Sequence, residues 1–278
     1  MTIANIHLTS GMRATLSSLQ QTSSLFQITQ NRLATGLKVN SALDDPVAYF
    51  AAKAHTNRAS DLAILKNDMN EAIQTIKAAN SGIEGITSLI ESAKSIAQSA
   101  LTTNDQVEAD SLAAQYDAIL EQIDYLVDDS NYKGTNLLNS GSLEVKFDEN
   151  GESVVTIDGF DATYETGLEI STATGVWDVT DADTKAATIS ASITELDDAK
   201  STLRTETKNL ATDLNIISSR QEFTAQMINV LNDGASNLTE ADMNEEGAKM
   251  LMLQTQQALG TTSLSLASQA AQSILRLF

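Results

Sequence analysis

Apolar residues recur at alternating three- and four-residue steps along most of this chain, the spacing of helices that each bury a stripe. The first series is Met12, Leu16, Leu19, Ser23, Phe26, Gln30, Leu33 and Leu37, a heptad seam with two polar interruptions. It predicts a helix running to a break at residues 40–46. There Asp45 is a natural N-cap, and Pro46 suits the first position of the next helix. The second series is the cleanest: Leu62, Leu65, Met69, Ala72, Ile76, Ala79, Ile83, Ile86, Ile90, Ala93, Ala97 and Ala100. It predicts a helix of roughly 55–80 Å at 1.5 Å per residue. Gly82 and Gly85 lower its local propensity without ending it. A turn and cap at Thr103, Asn104 and Asp105 lead into a shorter helix with Leu112, Tyr116, Ile119, Ile123 and Leu126 inward, closed by residues 128–131.

The period then changes. Leu143, Val145 and Phe147 alternate with Glu144 and Lys146, and Asn150–Gly151 is a hairpin turn before Val155 and Ile157. Residues 168–170 and 176–179 read as further short strands. Helical spacing returns with Ile189, Ile193, Leu196, Lys200, Leu203, Thr207, Leu210, Leu214, Ile217, Gln221, Thr224, Ile228 and Leu231, and Asp233–Gly234 is expected to end or bend that helix. The last series is Met250, Leu253, Gln257, Gly260, Leu264, Ala267, Ala271, Ile274 and Phe278, with a second stripe at Met252, Leu259 and Leu266. Two stripes on one helix imply two partner surfaces. The fold expected is mainly α: a long antiparallel, coiled-coil-like helical rod with a small β-hairpin tip and both termini at one end. Three regions follow: terminal helices 1–43 and 236–278, an acidic rod 44–138 and 185–235, and a β-rich tip 139–184.

Charge sharpens this division. All 37 acidic residues lie in 44–246 with 12 of the 17 basic ones, a charge of −25, while the two ends carry +3 and +2. An unpaired buried carboxylate costs several kcal/mol. The ends are therefore built for burial and the middle for water. The ends are rich in Ser, Thr, Gln and Ala, so two such helices alone bury little, and they are expected to become ordered as copies associate. A net charge of −20 argues against nucleic-acid binding. The chain has no Cys, which excludes disulfides and thiolate metal sites. No apolar run is long enough for a membrane-spanning helix, and residues 1–16 lack the pattern of a cleaved signal peptide.

Three motifs carry a resemblance. Residues 31–46, NRLATGLKVNSALDDP, resemble the signature near the start of bacterial flagellins. Residues 264–278, LSLASQAAQSILRLF, are similar to the flagellin C-terminus, and 131–138, NYKGTNLL, to the segment that leaves the flagellin rod. The wording of the first motif is most like that of alphaproteobacterial flagellins. The resemblance implies a subunit of the flagellar filament, an extracellular homopolymer built on the terminal helices. Its polymerisation seam would include Leu16, Leu19, Phe26, Arg32, Leu33, Leu37, Leu253, Leu264, Ile274 and Phe278. It further implies type III export without a cleaved signal, an export chaperone on the C-terminal helix, and filament-cap and hook-associated partners. In many flagellins a basic and an acidic residue on the first long helix engage an animal innate receptor; here those positions fall at Ser92 and Ser95, without the charges. A hook–filament junction protein is the near alternative, and a type III translocator a distant one that would need an apolar hairpin this chain lacks.

The remaining candidates have plainer readings. His7 and His55 sit in different segments and suit surface or packing roles. Asp148–Glu149–Asn150–Gly151 lacks the spacing of a calcium loop and suits a turn. Asp44, Asp45 and Pro46 form a cap and turn, not a catalytic pair. No cofactor is expected, and no catalytic cluster, phosphate loop or metal-helix motif suggests an enzyme. Arg32, a cation on a neutral helix, is expected either to face solvent or to meet a carbonyl or carboxylate, such as Asp44 or Asp45 of a neighbouring copy.

Overall fold

The computed structural model describes residues 10–178 and 181–275. Its elements are α1 (Ser10–Thr35), α2 (Pro46–Thr102), α3 (Gln106–Asp129), β1 (Ser142–Lys146), β2 (Val154–Asp158), α4 (Ala182–Thr239) and α5 (Met243–Leu275). They form two compact units. One is Arg58–Asn229; the other joins the chain ends, up to Asn57 and from Val230 onward.

In the first unit the α2 stripe is buried as its spacing predicts, with Met69, Ile76, Ile86, Ile90, Ala93 and Ala97 almost fully covered. Helix α4 returns antiparallel to it. Lys94 meets Asp197 at 2.5 Å, Lys200 meets Glu91 at 2.5 Å, and Gln221 Nε2 donates to Asn70 Oδ1 at 2.6 Å. Helix α3 also lies against α2, and here the two glycines matter. A Cβ on Gly82 would strike Ser130 Oγ and come within 2.5 Å of Leu138 Cδ1; one on Gly85 would come within 2.6 Å of Leu126 Cδ2. The glycines thus let α3 approach closely, a packing role beyond mere tolerance. Asp105 caps α3 by accepting from Val107 N, and the buried Lys185 donates from Nζ to Thr103 O and Asn104 Oδ1 just past the end of α2. A cation is favoured at a helix C-terminus.

β1 and β2 pair antiparallel with Leu143 opposite Ile157 and Val145 opposite Val155. Val145 and Ile157 point into the core, as the alternation requires. The turn closes through Phe147 N to Ser153 O at 2.9 Å, and Asp148 Oδ1 accepts from Ser153 N at 2.9 Å. Gly151 supplies the positive φ, 72°.

Two expectations fail. Residues 168–170 and 176–178 are not strands; Val179 lies outside the described residues. Their apolar side chains are core, with Leu168, Ile170, Ala173 and Trp177 buried, but their backbone finds other partners. Glu169 takes φ 55°, Ile170 N donates to Tyr164 O, and helix carboxylates accept the next amides: Glu195 from Ser171, and Asp117 from both Ala173 and Thr174. Alternation of apolar residues cannot tell that arrangement from a ladder. Trp177 packs its ring 5.0 Å from that of Tyr116 and donates from Nε1 to Ser192 Oγ at 3.2 Å. Burial, aided by Glu195 and Asp117, pushes the Tyr116 phenol well above its ordinary range. The second is the ending expected at Asp233–Gly234: α4 runs on through it to Thr239. Leu231 and Ala235 on either side are buried, and their burial outweighs the ~1 kcal/mol that glycine costs inside a helix. The break falls at residues 240–242, where Asp242 Oδ1 accepts from Asn244 N and Glu245 N to cap α5.

Candidate functional site

The terminal helices meet within the unit formed by the chain ends. α1 closes on Gly36, whose φ of 73° suits a left-handed cap and whose N–H reaches Arg32 O at 2.8 Å. The two linkers are then tied to each other. Leu37 bridges Glu240 antiparallel, Lys38 N donates to Thr239 O at 2.7 Å, and Ala241 N donates to Gly36 O at 2.9 Å. Beyond them α1 and α5 pack antiparallel. Arg32 Nη1 sits 3.3 Å from Glu246 Oε1, and further along a Cβ on Gly260 would lie 2.7 Å from Leu19 Cδ2.

The seam of α1 is shifted from the expected one. Its covered residues are Met12, Thr15, Leu19, Thr22, Ser23, Phe26, Thr29, Arg32 and Leu33, with Met12, Thr22 and Thr29 buried. Leu16 stays 37% exposed, Gln30 is exposed, and Ser23 is half-buried. Threonine can turn inward because its hydroxyl bonds back to its own helix. Thr15 donates to Gly11 O at 3.0 Å and Thr22 to Ser18 O at 2.9 Å. Leu37 is half-buried. On α5, Leu253 is buried and Met250, Gly260, Leu264 and Ala267 are half-buried, as expected. The side chain of Ile274 and the whole of Phe278 lie outside the described residues.

Arg32 has a carboxylate partner, but it is Glu246 of the same chain, not Asp44 or Asp45 of a neighbour. Glu246 is buried and also receives Lys249 Nζ at 3.1 Å. Burial alone would raise its pKa; Lys249 and then Arg32 more than offset this and hold it below the ordinary carboxylate value. Inspection of the sequence missed Glu246 as an interior residue. The available signal was its position seven residues before Leu253 and fourteen before Gly260, in phase with the buried stripe.

The second α5 stripe, Met252, Leu259 and Leu266, is exposed, with Leu259 at 66%, and α1 exposes Leu25 and Ile28. At the start of α2, Asp45 Oδ1 accepts from Ala48 N at 3.0 Å, the expected cap before Pro46. Asp44 Oδ2 accepts from Ser41 N, Ser41 Oγ and Asn40 N, and these bonds lower its pKa. Around this turn Leu43, Val47 and Phe50 are exposed, Leu43 at 96%. Ser92 and Ser95 are exposed on α2, with Lys94 between them held by Asp197. His55 is half-buried near Gly234; His7 lies outside the described residues.

The model described as bacterial flagellin N-terminal helical region matches residues 8–142, and that described as bacterial flagellin C-terminal helical region matches residues 187–278. The chain belongs to the bacterial flagellins. Among curated relatives, the flagellin FljK of Caulobacter vibrioides is 28% identical, covering 100% of each chain, and a flagellin of Brucella melitensis is 27% identical, covering 99% of each. Among solved structures, a Bacillus cereus flagellin aligns at 20% identity and a TM-score of 0.46, covering 56% of this chain and 88% of that one. This flagellin is a structural subunit of the flagellar filament that polymerises with copies of itself, not an enzyme. Nothing in the matches favours the hook-associated alternative. Among the described residues no helix is long and apolar enough to cross a membrane.

Proposed function

We propose that this flagellin polymerises through the outward faces of α1 and α5, with the acidic residues of 44–245 left mostly toward water. The carrying observation is the row Met252, Leu259 and Leu266, heptad-spaced and exposed, on a stretch with no carboxylate after Glu246. A contiguous exposed apolar row on a soluble chain marks an interaction surface. A polymer that grows without closing needs different surfaces on each copy to meet, and the α1 face with Leu25 and Ile28 supplies a second one.

The finer assignments rest on the family resemblance and on these faces. Export proceeds without a cleaved signal, with the apolar row of α5 covered by an export chaperone until assembly. Filament-cap and hook-associated proteins contact the growing and basal ends. Ser92 and Ser95 leave the receptor-engaging surface of other flagellins without its charge pair. The test is removal of residues 250–278. The shortened chain is expected to stay soluble and helical, because the core around α2, α3 and α4 keeps its own packing, and to add nothing to filament seeds. Normal elongation by the shortened chain would overturn the proposal.

A further inference from the structure

The paired faces of α1 and α5 are repetitive in a way that specifies their alignment poorly. On α1 the large residues Met12, Leu19, Phe26 and Leu33 recur every seven positions, and so do Thr15, Thr22 and Thr29. On α5 Glu246, Leu253, Gly260 and Ala267 share one heptad phase. The contacts of Arg32 with Glu246 and of Leu19 with Gly260, continuing the register of the linker bonds between Gly36–Lys38 and Thr239–Ala241, place Phe26 level with Leu253 and Met12 level with Ala267. Sliding by one heptad moves the helices about 10 Å. In one direction Leu33 comes level with Leu253, Phe26 with Gly260 and Leu19 with Ala267. Threonines still face inward, Leu33 takes the place of Phe26 opposite Leu253, and a phenylalanine takes the place of Leu19 over Gly260. Apolar packing therefore discriminates weakly against this alignment.

The ion pair does discriminate. A slip of that kind carries Arg32 away from Glu246, leaves that carboxylate with Lys249 alone, and breaks the linker bonds of Lys38 to Thr239 and of Ala241 to Gly36. Even in the native alignment the buried Glu246 Oε2 finds no hydrogen-bond partner among the described residues. An incompletely satisfied buried charge adds little stability, but losing one of its partners is costly. A single buried polar group that fixes register at the expense of stability is the best-attested use of such pairs.

We propose that the Arg32–Glu246 pair is the register lock of the terminal helices, a positioning device that selects the one heptad alignment in which the outward rows of α1 and α5 match those of neighbouring copies. The clause about neighbours rests on the assembly reading above; the lock itself is a property of the single chain.

The chain has no native cysteine, so disulfide trapping is clean. One full-length variant carries Phe26→Cys with Leu253→Cys and traps the native register. A second carries Leu33→Cys with Leu253→Cys and traps the slipped one. Both are oxidised as dilute soluble protein and intrachain bonds are counted by mass spectrometry. With Arg32 and Glu246 intact, the native bond should form about tenfold faster than the slipped one. In Glu246→Gln, and separately in Arg32→Gln, the ratio should fall toward one, while Arg32→Lys should preserve it. If both bonds slow together with their ratio kept, the pair only stabilises and the proposal is wrong. Equal rates with the pair intact also defeat it. Failure of the unmodified chain to elongate seeds would instead sink the assembly reading and leave the register ratio as measured.

Discussion

Leu259 offers the sharpest mutational test of the assembly face. It is 66% exposed and sits mid-row between Met252 and Leu266. Because the chain's own packing scarcely uses it, Leu259→Ala should change folding stability by less than ~0.5 kcal/mol, as is usual for surface sites. Complete burial of a leucine is worth about 1.5–3 kcal/mol, and two thirds of that remains to be gained on assembly, about 1–2 kcal/mol per subunit. Each 1.4 kcal/mol is a factor of ten. The critical concentration for seeded growth should therefore rise roughly 5- to 30-fold in Leu259→Ala. Leu259→Glu adds the several kcal/mol cost of burying an unpaired carboxylate and should abolish growth over any practical range. The assay is sedimentation of seeded protein across a concentration series, beside urea unfolding of the soluble chain followed by circular dichroism. A Leu259→Glu chain that grows with an unchanged critical concentration refutes the reasoning, and so does one whose soluble form loses as much stability as its polymer.

Other outcomes follow from single contacts. Gly82→Ala gains ~1 kcal/mol of helix propensity but strikes the buried Leu138 and the Ser130 hydroxyl, which is committed to Leu126 O, so it should lose about 1–3 kcal/mol net; Gly85→Ala meets only a half-buried Leu126 methyl and should be nearly neutral. A urea midpoint for Gly82→Ala no lower than that of the wild type would refute the close-approach account. Glu246 is depressed by Lys249 and Arg32 despite burial, so its contribution is fully present above the unfolded value of 4.5 and is lost as pH falls through the lower folded value. Stability measured from pH 6 downward should show this loss in the wild type and lack that component in Glu246→Gln. Asp124 and Asp213, raised by burial, contribute with the opposite sign. Because Ser92 and Ser95 carry no charge, reporter cells bearing the animal flagellin receptor should respond weakly or not at all, and a response equal to that of an activating flagellin would contradict this.

The long helices were legible because a buried stripe leaves a three-and-four period, and every α2 position read as inward from Leu62 to Ala100 is buried or half-buried. The hairpin was legible from alternation and Asn150–Gly151. What escaped was hidden in polar chemistry. Thr22 and Thr29 occupy an interior where hydropathy favours Leu16, and the Thr22 hydroxyl bonds back to its own helix. The segment around Leu168 and Ile170 looked like strand because its side chains are core, while Asp117, Asp124 and Glu195 take its amides from distant helices. Gly234 looked like a stop because a turn signal is local, and the burial of Leu231 and Ala235 that overrides it is not. The assembly face was readable as a second stripe on α5; its ion-paired anchor at Glu246 was not, since a buried carboxylate shows itself only through its partners.

The measurement that bears most directly on the account is amide hydrogen exchange of α1 and α5 in the soluble chain and in the filament. The seam between them is thin, with threonine and glycine among its contacts, and their outward rows are bare. Exchange at both helices should be faster in the soluble chain than at α2 near Ile86 and Ile90, as expected of a marginal pairing, and it should slow by orders of magnitude on polymerisation. Protection of α1 and α5 that is already as strong as that of α2 before assembly, or unchanged after it, would contradict the claim that these helices are the surface on which copies are built together.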